Sequence, residues 1–273
     1  MSARINGVEL EWREQGEGAP ILLIHGFPFN SAMWGPQLAQ LPQGWRGIAP
    51  DLRGFGASAG SDDAVYTMEL FARDLVALLD HLGAEQAVVC GISMGGYIAF
   101  EFWRLFRDRV RALVLCDTRA GPDSADARRG RERLAERVLT EGDAVVIDSM
   151  LPRLVSMSTR YGQPGVLELV RAMMKETPPE TMARALLGMA ARPDAEPVLR
   201  TIDVPALIVV GAEDAITNRG QAEFLARGIR GARMETIENA GHLPNLEQTD
   251  VFNRVLHSFL SGLPQTTFST SRI

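Results

Sequence analysis

The feature that most narrows what this chain can fold into is an alternation of short aliphatic runs with helical patterns. Residues 21–24, 47–49, 87–90, 112–116 and 206–210 are nearly free of polar side chains and are bounded by Gly, Pro or Asp. A strand with no polar side is buried on both faces, as in a parallel sheet sandwiched between helices. The segments between them carry helical periodicity. Residues 67–81 place Leu70, Phe71, Leu75, Leu78 and Leu79 on one stripe and stop at Gly83. Residues 94–106 read as a second helix, and residues 251–260 as a late one. Upstream, residues 3–5 and 8–13 flank Asn6-Gly7, a dipeptide that accepts the positive φ angles of a two-residue hairpin turn. The chain reads as α/β: a mostly parallel twisted sheet with helices on both faces.

The alternation breaks between residues 119 and 197, where helical patterns run on without an aliphatic strand. Val166, Leu169, Val170, Met173 and Met174 form one apolar stripe there. Thr177-Pro178-Pro179-Glu180 has the form of a capping box with proline at the first helical position. This stretch is expected to be a helical cap, inserted after the sixth strand and seated on the sheet's carboxyl edge, where open α/β sheets bind ligands. The core would then comprise residues 1–118 and 198–263, with 264–273 a loose tail.

Charge and cysteine usage exclude several classes of function. Twenty-eight Lys and Arg against thirty-four Asp and Glu leave a net charge of -6. No general positive field is available for nucleic acid or an anionic membrane. Cys90 and Cys116 each lie inside an apolar run and read as core residues. No Cys/His spacing matches a zinc site, so no metal is expected. Six charged residues in the first twenty leave no signal-peptide core, and no apolar run reaches bilayer length. The expected location is the cytoplasm.

Gly91-Ile92-Ser93-Met94-Gly95-Gly96 fits G-x-S-x-G between a buried strand and a helix. That context puts Ser93 on a tight exposed turn and aims the Met94 N–H and the helix N-terminus at the site where an oxyanion would form. The bland alternative is a serine N-cap. A serine nucleophile needs a base, and that base needs an orienting acid. Of four histidines, His81 reads as the charge at a helix end and His257 as part of the last helix. His242, in Asn239-Ala240-Gly241-His242-Leu243-Pro244, sits on a short loop after an edge strand and is assigned as the base. Two acids compete. Asp214 directly follows the strand at 206–210, and Asp117 occupies the corresponding place one strand earlier. Glu213 is expected to project away. His25-Gly26-Phe27-Pro28-Phe29 follows the first aliphatic strand and offers the Phe27 N–H as second oxyanion donor. His25 would position that loop.

Four motifs in order carry a family resemblance: His25-Gly26-Phe27-Pro28, Pro50-Asp51-Leu52-Arg53-Gly54-Phe55-Gly56-Ala57-Ser58, the Ser93 elbow, and Gly241-His242. Over nearly its whole length the chain resembles an α/β-hydrolase-fold serine hydrolase. It is most similar to bacterial carboxylesterases related to 3-oxoadipate enol-lactonases and cofactor-free haloperoxidases. The resemblance implies nucleophile Ser93, acid Asp214, base His242 and oxyanion donors Phe27 and Met94, and the chain order Ser, Asp, His selects Asp214 over Asp117. It assigns the Pro50 to Ser58 stretch a structural part, and it implies no cofactor.

Apolar Phe27, Phe29, Trp34 and Met94 flank the catalytic loops, with Phe29 and Trp34 the candidates to touch substrate. Six of the eleven methionines lie between Met150 and Met189, as pocket lining or as gap filler between helices. The expected activity is a carboxylesterase for small to medium apolar esters, with a small-molecule substrate as its only implied partner. The alternative is a lactonase acting on an anionic ring, with Arg119 or Arg153 holding the charge. The arginines between 128 and 137 alternate with Glu132 and Glu136 and read as solvated surface. A perhydrolase side reaction would follow if peroxide replaced water. A receptor on the same fold would not need an intact Ser/Asp/His set.

Overall fold

The computed structural model describes residues 1–263, so the expected tail at 264–273 lies outside the described residues. Eight strands form one sheet: β1 Ser2–Ile5, β2 Val8–Gly16, β3 Ala19–Ile24, β4 Trp45–Pro50, β5 Ala87–Ile92, β6 Val110–Cys116, β7 Ala206–Gly211 and β8 Arg233–Ile237. Their spatial order is β1-β2-β4-β3-β5-β6-β7-β8. β1 and β2 join antiparallel, as do β2 and β4, and every pairing beyond β4 is parallel. The Asn6-Gly7 turn has φ of 46° and 87°, the two positive angles its sequence announces. β3, β5 and β7 are buried at every position, and each extends its aliphatic run by one or two small or apolar residues. β4 exceeds its apolar run because Arg46 is held in the sheet by Glu14 of β2, at 2.7 Å.

The helices are α1 Gly35–Ala39, α2 Met68–His81, α3 Met94–Phe106, α4 Ala125–Glu141, α5 Ala144–Leu154, α6 Met157–Gly162, α7 Pro164–Lys175, α8 Pro179–Ala190, α9 Glu196–Leu199, α10 Arg219–Gly228, α11 Pro244–Glu247 and α12 Thr249–Ser261. α3 packs against β3, β5 and β6, while α10 packs against β7 and β8. α4 to α9 all fall between β6 and β7, the interval where the strand pattern lapses. Among the described residues, no helix is long and apolar enough to cross a membrane.

Two local expectations are corrected. α8 begins at Pro179 as the proline rule requires, but no side chain caps it. The buried Thr177 hydroxyl instead donates to the Pro28 carbonyl at 2.9 Å, tying the helical insertion to the loop after β3. The α7 stripe is narrower than its periodicity: Val170, Met173 and Met174 are buried, whereas Leu169 is exposed. His81 ends α2 as expected, and its ring stands edge-on to Trp12 at 5.9 Å.

Candidate active site

β5 runs straight into the elbow. Ser93 adopts φ 55° and ψ -114°, a conformation side-chain-bearing residues rarely hold, and its N–H donates to the Cys116 carbonyl at 2.9 Å. The Ser93 carbonyl accepts from Gly96 N at 3.0 Å and from the Thr118 hydroxyl at 2.8 Å. A Cβ on Gly95 would land on the Ile24 carbonyl, so the elbow closes against β3 only because that residue is glycine. The serine side chain stays half-buried and accessible. Met94 is the first residue of α3, so no helical carbonyl lies behind its N–H.

The loop after β3 is braced from below. His25 is wholly buried, with Nδ1 on the Gly26 carbonyl at 2.9 Å and Nε2 accepting from Leu52 N at 3.0 Å. Burial pushes the ring down to about 4, so it is neutral and holds two loops together. That is the positioning part the sequence assigns to it. The Pro50 to Ser58 stretch is likewise structural: Asp51 accepts from Ser31 N and Ala57 N, and Arg53 pairs with buried Asp74 at 2.6 Å. Phe27 is buried, and a Cβ on the preceding Gly26 would lie 3.3 Å from the Ser93 Cβ. Phe29 is fully buried with its ring close to Gly26, and Trp34 is fully buried with its ring tilted against Phe252 of α12 at 6.1 Å.

Asp214 and His242 meet at the ends of β7 and β8. His242 Nδ1 lies 2.9 Å from Asp214 Oδ2, with both side chains buried. A carboxylate partner requires the proton on Nδ1, which leaves a lone pair on Nε2, the arrangement of a general base. Asp214 also accepts from Ile216 N at 2.7 Å, Thr217 N at 3.0 Å and the Thr217 hydroxyl at 2.7 Å. Burial alone would raise this carboxyl, but the His242 ring and these donors outweigh it and hold it at about 2. Glu213 points elsewhere, accepting from Met157 N at 3.1 Å. Asp117 also arrives here: one oxygen of Asp117, one of Asp214 and a ring nitrogen of His242 lie within 4.8 Å of one another.

Glu247 went unnoticed in the sequence. Its buried carboxylate accepts from Gly241 N at 2.8 Å and Leu243 N at 3.1 Å, on either side of His242, and from Ser156 N at 2.7 Å. His242 N itself donates to the Leu154 carbonyl at 2.9 Å. A Cβ on Gly241 would strike the Val155 and Ser156 backbone, which explains the glycine before the histidine. Asp123 also escaped notice. Its buried side chain gathers Arg119, Arg131 at 2.7 Å and Arg192 at 3.0 Å. Arg131 is therefore no solvated surface residue. A cavity of about 550 Å³ beside this cluster is lined by Arg119, Arg131 and Arg153, together with Tyr97, Ile216 and Thr217.

A strained serine after one strand and a histidine–carboxylate pair after two others, on this strand order, define the α/β hydrolases. A sequence model of the α/β hydrolase fold matches residues 19–249, and the chain belongs to that family. It is 27% identical over 252 residues to 3-oxoadipate enol-lactonase 2 of Acinetobacter baylyi, covering 90% of each protein. Among solved structures it resembles a thermophilic esterase from Thermogutta terrifontis with malate bound, at 42% identity and a TM-score of 0.93, covering 97% of this chain and 99% of that one. The enol-lactonase of Burkholderia xenovorans LB400 is similar at 32% identity and a TM-score of 0.89, over 96% and 100%.

Proposed function

We propose that the chain is a carboxylesterase, hydrolysing small to medium apolar esters with Ser93 as nucleophile, His242 as base and Asp214 as the orienting acid. The observation that carries this reading is the 2.9 Å contact of His242 Nδ1 with buried Asp214, on the sheet edge that presents the strained Ser93. Similarity to an esterase at 42% identity and to enol-lactonases supports hydrolysis at an ester bond. In the first half-reaction His242 takes the Ser93 proton as the hydroxyl oxygen attacks the ester carbonyl. The N–H groups of Phe27 and Met94 hold the oxyanion, and His242 then protonates the departing alkoxide. In the second, His242 draws a proton from water as the hydroxide attacks the acyl-enzyme, then returns that proton to Ser93 Oγ as the C–O bond breaks and the free acid leaves. The sequence consumes only water. Residues 119–197 form the cap above this site.

A second reading has a specific observation behind it. The arginine-lined cavity borders Ile216 and Thr217, the residues that hold Asp214, and suits an ester or lactone bearing a free carboxylate. The malate in the Thermogutta terrifontis esterase supports the same leaning. Hydrolysis of p-nitrophenyl esters from about two to twelve carbons, with S93A as control, tests the first reading. Turnover peaking at short chains and absent in S93A is expected, and none from a folded wild-type protein refutes it. A preference of about tenfold in kcat/KM for an ω-carboxylate ester over its neutral isostere, lost in R119A, would select the second.

A further inference from the structure

Asp117 lies beside the Asp214–His242 pair at the strand ends, and the mechanism above does not use it. Its N–H donates to the Val209 carbonyl at 2.9 Å, and a φ of 43° then turns the chain so that the side chain reaches across to the end of β7. There Oδ1 accepts from Gly211 N at 2.8 Å, at the base of the loop that carries Asp214. The residue is 1% exposed, and Oδ2 is buried without a donor. The titratable groups set against it are Asp214, His242 and the Cys116 thiol, which burial keeps protonated.

Two carboxylates buried this close do not both ionise. Asp214 has three local donors and the His242 ring, so the charge resides there. An ionised Asp117 would leave Oδ2 as a bare buried acceptor facing another acceptor, whereas a proton on it turns that contact into a hydrogen bond. We infer that Asp117 is a positioning residue: a proton-bearing carboxyl that braces Asp214 from the neighbouring strand and so fixes the orientation of His242. Burial and the Asp214 charge act in the same direction, pushing the Asp117 carboxyl well above the usual range.

This inference rests on the Ser93–His242–Asp214 reading, and D214N tests that reading separately: if D214N keeps full turnover, the triad assignment fails first. The inference itself is tested with D117N and D117A. Asn keeps one acceptor and supplies an N–H where the proton sat, so kcat should fall by no more than about threefold. The acid limb of the kcat/KM profile should stay in place, because no charge has been removed. D117A should lower kcat by about tenfold at unchanged KM. An infrared carbonyl band of a protonated carboxyl, present in the wild type at neutral pH and missing from folded D117N, reads the proton directly even if D117A fails to fold. The inference is overturned if that band is absent. It is equally overturned if D117N shifts the acid limb down by about half a unit, since removing an anion beside His242 lowers the affinity of its ring for a proton.

Discussion

Replacing Glu247 with glutamine tests whether the base loop is held in place by the contacts described above. The carboxylate accepts three backbone N–H groups, two on Oε1 and one on Oε2. With its amide oxygen towards Gly241 and Leu243, the glutamine retains two bonds but makes them neutral, which weakens each by about 1 kcal/mol. Its NH2 then opposes Ser156 N, leaving buried donors unsatisfied at about 1–3 kcal/mol. The sum is about 3–5 kcal/mol, a large fraction of the roughly 5–15 kcal/mol by which such a domain is stable. Urea unfolding measures the first quantity, provided that m is unchanged. Steady-state kinetics on p-nitrophenyl butyrate measure the second, where kcat should fall more than KM rises, because the loop positions His242 and not the substrate. An E247Q protein within about 1 kcal/mol of wild type and with full kcat would refute the reasoning.

Three further outcomes are expected. Removing the Ser93 side chain should abolish turnover, and S93G should unfold at a higher temperature than S93A, since only glycine relieves the positive φ; about 1 kcal/mol is expected, or roughly 2–4 °C, and differential scanning calorimetry decides. D214N should lower kcat by about four orders of magnitude, by analogy with the serine-protease aspartate, while leaving the circular dichroism spectrum unchanged. His25 is depressed from its ordinary 6.5 to about 4, so its contribution is complete above pH 6.5 and is lost as pH falls towards 4, about 3 kcal/mol in all. Urea midpoints at pH 7 and 4.5 should therefore differ more in the wild type than in H25N, and equal differences would contradict it; Asp214 adds a similar loss only further down, between its ordinary 3.8 and about 2.

The sheet was legible because β3, β5 and β7 are buried on both faces and cannot carry polar residues, so the burial itself is written as composition. The Ser93, His242 and Asp214 positions were legible for a related reason: parallel strands end together, and a loop after each must deliver its side chain to the same edge. That geometry also explains why Asp117 competed with Asp214 on paper, since the two do arrive within 4.8 Å of one another. What stayed hidden is whatever depends on a distant backbone group. Thr177 spells a capping box, yet its hydroxyl goes to Pro28, 149 residues away in the chain. Glu247 reads as an ordinary acid near a helix start, and nothing local announces that Ser156, 91 residues earlier, donates to it. Arg131 looks like part of a charged helix surface until α8 packs on α4 and Asp123 gathers it with Arg192, whose guanidinium stacks on the Tyr97 ring at 4.2 Å.

The insertion between β6 and β7 touches three of the four loops that carry the proposed chemistry, those after β3, β7 and β8. Thr177 bonds the Pro28 carbonyl, Met157 N reaches Glu213, and Leu154 accepts from His242 N. A graft exchanging residues 119–197 for the equivalent segment of a relative would therefore change the mounting of the reactive groups along with the walls of the pocket. Selectivity and turnover are expected to change together in such a graft. Chimaeras that keep the resident residues at 154–157 and 177 while replacing the helices between them are the ones in which the two can be varied apart.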